Sequence, residues 1–84
     1  MIFLDGNRFK TKDETFLYLN EKIDFEYEAC NLDGLFDLLS MVDDKIVIKN
    51  YPVIYKNLND YGEKILSCFM KAGFCFGLEI DFLS

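Results

Sequence analysis

The stretch Leu78-Glu79-Ile80-Asp81-Phe82 near the end of the chain alternates apolar and acidic residues. That is the period of a β-strand with one face in a core and one in water. It constrains the fold because helical patterns lie between this strand and the other strand candidates. Helical connections favour parallel pairing. A parallel strand covered on both faces should be almost wholly apolar, and Glu79 and Asp81 break that rule. The expected architecture is therefore a two-layer α/β domain, with a small sheet carrying its helices on one face.

The remaining elements follow from local signals. Met1 to Leu4 is short, apolar and compatible with a strand, and Asp5-Gly6-Asn7 ends it in a turn. Thr11 with Glu14 forms a capping box, and Phe16, Leu19 and Ile23 follow at helical spacing, predicting a helix over roughly Lys12 to Lys22. Asp24 to Cys30 has no period and reads as a loop. Asn31 is a good N-cap, and Leu32, Leu35, Phe36 and Leu39 then make one apolar stripe over a second helix, about Leu32 to Ser40. After a turn at Asp43-Asp44, Lys45 to Lys49 reads as a strand. Tyr51-Pro52 breaks the chain, and Val53 to Leu58 forms at most a helical turn. Asp60 with Glu63 reads as another N-cap signal, Ile65, Leu66, Cys68, Phe69 and Ala72 as an amphipathic helix, and Gly73 as its capping glycine.

With 84 residues, half of them apolar, the chain can build one core as a single domain, residues 1–84. No stretch reaches the roughly 20 apolar residues of a membrane span. The opening MIFLDGNRFK has no basic region followed by a long apolar segment, so a cytoplasmic location is expected. Cys30, Cys68 and Cys75 are odd in number and lack a CxxC pair, and are expected as reduced thiols. The chain contains no histidine, so a Ser-His or Cys-His nucleophile cannot be assembled within it. No enzyme activity, metal or cofactor is expected. The net charge of −6 makes direct nucleic-acid binding a poor fit, since that rests on neutralising phosphates, and suits a basic partner or simply solubility.

Chemistry concentrates on the second helix. Asp33 and Asp37 are four residues apart and share a face beside the core stripe. Like charges at this spacing cost the helix about 0.2–0.5 kcal/mol, part of which Asp33 regains from the helix dipole. The pair is either a plain solvated face or a partner-facing one. Acid–base work by paired carboxylates would need a cleft that so small a domain hardly supplies. Gly34 costs the helix about 1 kcal/mol relative to alanine, and either lets another surface approach the backbone or is an exposed site without a role. Cys30, before the helix, is an ordinary free cysteine or a mildly activated one. Tyr27, in the loop leading into the helix, is compatible with an interface anchor.

Glu26-Tyr27 followed by Asn31-Leu32-Asp33-Gly34-Leu35-Phe36-Asp37-Leu38-Leu39 resembles the signature of the barstar family of ribonuclease inhibitors, E-Y-Y-G-x-N-L-D-A-L-W-D-x-L. The N-L-D-x-L-aromatic-D core matches without a gap, and a weaker match runs over the whole chain. The resemblance implies a three-stranded parallel sheet with helices packed on one face. It also implies inhibition of a microbial extracellular-type ribonuclease by an acidic helix seated in the active site, by a protein that is a monomer when free. The implied partner-binding residues are Tyr27, Asn31, Asp33, Gly34, Phe36 and Asp37. Asp37 would occupy the substrate-phosphate pocket, Asp33 would pair with basic groups beside it, and Tyr27 would stack on the catalytic histidine. The chain departs from the pattern at Glu28, Ala29 and Phe36, and at about Lys71, where the family has an acidic contact residue. The loop after the second helix is one residue shorter, with Met41-Val42 in place of a Gly-Trp pair. These rim changes point to a partner other than the family's best-known ribonuclease. An acidic interaction module, or an immunity protein for a toxin that is not a barnase-type ribonuclease, is the alternative.

Overall fold

A computed structural model describes residues 1–84. Strand β1 (Ile2–Asp5) leads through a single 3-10 turn (Gly6–Arg8) into α1 (Lys12–Lys22) and α2 (Leu32–Leu39). Strand β2 (Ile46–Lys49), α3 (Tyr51–Leu58), α4 (Asp60–Phe76) and β3 (Ile80–Leu83) complete the chain. The three strands form one parallel sheet in the order β1-β2-β3. The four helices pack against it, giving a two-layer α/β fold.

The register separates the two faces. Ile2, Ile46 and Ile80 are paired across the sheet, as are Leu4, Ile48 and Phe82. These rows meet the helices: Leu4, Ile46 and Ile48 are fully buried in a core with Leu19, Leu35, Leu38, Ile54, Ile65 and Phe69. Each such side chain contributes about 1.5–3 kcal/mol on burial. The opposite face carries the row Phe3, Val47, Asp81. Phe3 and Asp81 are exposed, and only the central Val47 is sheltered. The acidic alternation that predicts a wet face has a specific partner here. Lys45 Nζ lies 2.9 Å from Asp81 and 3.4 Å from Glu79, and these carboxylates hold its ammonium above the usual lysine range.

Three boundaries differ from expectation, each for a local reason. Pro52 does not break the chain but sits in the first turn of α3, where a missing N–H costs nothing. Helix α4 starts at Asp60 with Asn59 as its N-cap residue, and no side chain caps it. Gly73 is not a cap: α4 runs on to Phe76, and Gly77 closes it in the left-handed conformation at φ 69°. A Cβ on Gly73 would lie 3.0 Å from the carbonyl oxygen of Leu78, so glycine there lets the chain fold back closely onto α4 before β3.

Candidate functional site

Helix α2 is fixed at its start and along one side. Asn31 is extended (φ −153°), and its side chain accepts a hydrogen bond from the Gly34 N–H at 2.7 Å. The loop before it is pinned by Asn20, whose side chain donates to the Ala29 carbonyl at 2.9 Å and accepts from the Ala29 N–H at 2.8 Å. Ala29 is itself buried. Leu35, Leu38 and Leu39 are fully buried, which sets the rotation of the helix about its axis. Asp33 and Asp37 therefore face solvent, about 6 Å apart along the axis. No lysine or arginine nitrogen lies within 4.0 Å of either carboxylate; the ion pairs in the chain are Met1–Asp44, Lys45–Glu79 and Lys45–Asp81.

These aspartates form one wall of a groove of about 1000 Å³ between α2 and α4. Leu32 and Phe36 from α2 and Cys68 from α4 supply its apolar part. The Cys68 thiol is 3.7 Å from the Leu32 carbonyl oxygen, and burial pushes it up to about 11, with Lys71 opposing that rise and Asp33 adding to it. The α4 wall carries Asp60, Glu63, Lys64, Ser67 and Lys71. The spacing i, i+3, i+4, i+7, i+11 defines one helix face about 16 Å long. None of these α4 residues belongs to the sequence-based site; Lys71 figures there only as a departure from the family pattern. The signal that could have found them is this polar stripe, running beside the apolar one of Ile65, Leu66, Phe69 and Ala72.

The structure brings together most of the residues implied by the resemblance. Asp33, Phe36 and Asp37 line the groove, while Asn31 and Gly34 form the cap at its edge. Phe36 is half-buried, its ring 4.9 Å from that of Phe76, so it supports the helix as well as facing the groove. Tyr27 is exposed on the loop before α2 and does not line the groove. Cys30 is exposed, and no group of three or more Cys, Asp or Glu side chains is placed to hold a metal ion. No helix is long and apolar enough to cross a membrane. No family model matches the chain, and no curated protein matches it in sequence.

Proposed function

We propose that the chain is a proteinaceous inhibitor of a microbial extracellular-type ribonuclease, and that it occludes the active site with α2, whose carboxylates stand in for RNA phosphate. The observation that carries this reading is the pair Asp33 and Asp37: exposed, one turn apart, without a cation of their own, and fixed on a helix clamped by its cap and its buried leucines.

The chemistry follows from the target. A site that cleaves a phosphodiester must be positive to hold the substrate and stabilise the charge of its transition state. A carboxylate carried outward on a packed helix offers two acceptor oxygens to an arginine fork in the same way. Fixing the helix before binding matters because a segment ordered only on binding loses affinity to that ordering. The net charge of −6 speeds encounter with such a basic face.

This mechanism requires competition with substrate. Purified chain added to a basic microbial ribonuclease should raise the apparent KM for an RNA dinucleotide and leave kcat unchanged. Inhibition that lowers kcat at saturating substrate, or none by either the natural chain or Lys71→Glu, would overturn the reading. Lys64 and Lys71 in the groove favour one variation on it, a nuclease toxin outside the barnase type.

A further inference from the structure

Charge is unevenly distributed around the groove. Asp33 and Asp37 stand on α2; on α4, Lys64 lies beside Asp60 and Glu63 near the start of the helix, while Lys71 stands two turns further on, past Ser67, with no acidic neighbour on its own wall. All four side chains belong to exposed residues, and no ammonium lies within 4.0 Å of a carboxylate across the gap. The apolar packing of α2 on α4, through Leu32, Phe36, Cys68 and Phe76, sets the spacing of the two helices. The charges on the two walls are therefore presented to solvent without a direct ion pair between them.

We infer that Lys71 on α4 is a specificity determinant: the partner that seats its cations on Asp33 and Asp37 must present a carboxylate to Lys71. A partner whose contact face is basic throughout would bring like charges together at that end of the groove, a juxtaposition that disfavours wrong partners. A partner element that is basic on one side and acidic on the other satisfies both ends at once. Lys71 would then reject the general run of basic nucleases, while the aspartates supply the attraction. This rests on the inhibitor reading above and specifies the charge pattern of its partner.

The test uses the full chain and a secreted basic ribonuclease of the barnase type as the probe. Association rates and Kd are measured for the natural chain, Lys71→Glu, Lys71→Ala and Asp37→Ala, each at low and high salt. Lys71→Glu should bind about tenfold more tightly or better than the natural chain. Most of that gain should lie in the association rate and fade at high ionic strength, as expected of a charge near a solvated rim; Lys71→Ala should fall between. Single Lys→Glu or Arg→Glu replacements around the nuclease active site then complete the exchange. At least one should tighten the natural chain and weaken Lys71→Glu, marking the spot that faces Lys71. If Lys71→Glu binds no better than the natural chain, including the case where neither binds, the specificity role is wrong. If Asp37→Ala binds as well as the natural chain, the inhibitor reading itself fails, whatever Lys71 does. Circular dichroism of each variant separates a binding effect from loss of fold.

Discussion

Gly34 offers a direct test of how the cap of α2 and its exposed face are coupled. A glycine inside a helix costs about 0.8–1.0 kcal/mol relative to alanine, so Gly34→Ala should stabilise the chain unless the new methyl group meets something. It meets one thing: a Cβ at this position would lie 3.3 Å from Oδ1 of Asn31, the atom that accepts the Gly34 N–H. The Asn31 side chain is exposed and can give by a few tenths of an ångström, at the cost of part of a cap whose full value is about 0.5–2 kcal/mol. The net expected gain is about 0.5 kcal/mol, or roughly 2–4 °C in Tm for a chain of this size. In an Asn31→Ala background, itself destabilised by about 1 kcal/mol, no oxygen is left to move and Gly34→Ala should recover the full ~1 kcal/mol. Urea unfolding followed by far-ultraviolet circular dichroism on the four chains of this cycle gives the coupling directly. Destabilisation by Gly34→Ala in both backgrounds, or an effect that is the same with and without Asn31, would refute the coupling.

Other consequences concern separate parts of the molecule. Asn59 has φ 53° and ψ −124°, a conformation that costs a residue with a side chain on the order of 1–3 kcal/mol, and its side chain makes no capping bond; Asn59→Gly should raise the urea midpoint, and a lower midpoint would contradict that assignment. The Asp5 carboxyl is held below its ordinary 3.8 first by the Asn7 N–H and then by the Asn50 side chain. Its contribution is therefore fully present above pH 3.8 and lost as pH falls through the lower folded value; the stability difference between the natural chain and Asp5→Asn should shrink below that pH, and a constant difference would remove the carboxylate from the account. Cys30 and Cys75 are exposed while Cys68 is buried with its thiol raised to about 11, so a thiol reagent at pH 8 should label two cysteines quickly and the third only on unfolding.

Much of this fold is written in local sequence. The capping box Thr11/Glu14 gives α1 both its start and its cap bond, at 3.1 Å. Asn31 and the leucine stripe place α2 and decide which of its faces is free. The alternation Glu79/Asp81 marks the wet face of the sheet before any coordinate is known. What local reading misses is decided by contacts distant in sequence. Gly73 looks like a cap until Leu78 and Ile80 are seen folded against it. Phe36 is legible as part of the apolar stripe and as a rim residue, but its neighbour Phe76, with ring centroids 4.9 Å apart, is not. The α4 wall of the groove escapes for the same reason: Asp60, Glu63 and Lys64 acquire significance only because α2 lies opposite them.

Inhibition through α2 depends most on Asp37, whose contribution to affinity can be measured. Removing one partner of a desolvated charge pair costs about 2–5 kcal/mol, a range that draws on the barstar family's namesake complex and is carried over from it. Isothermal titration of the natural chain, Asp37→Ala and Asp37→Asn against an inhibited basic ribonuclease should give Kd values weakened about 30- to 5,000-fold, with unfolding midpoints close to that of the natural chain because Asp37 is exposed and makes no ion pair. Equal affinity for all three proteins would show that no carboxylate on α2 stands in for phosphate.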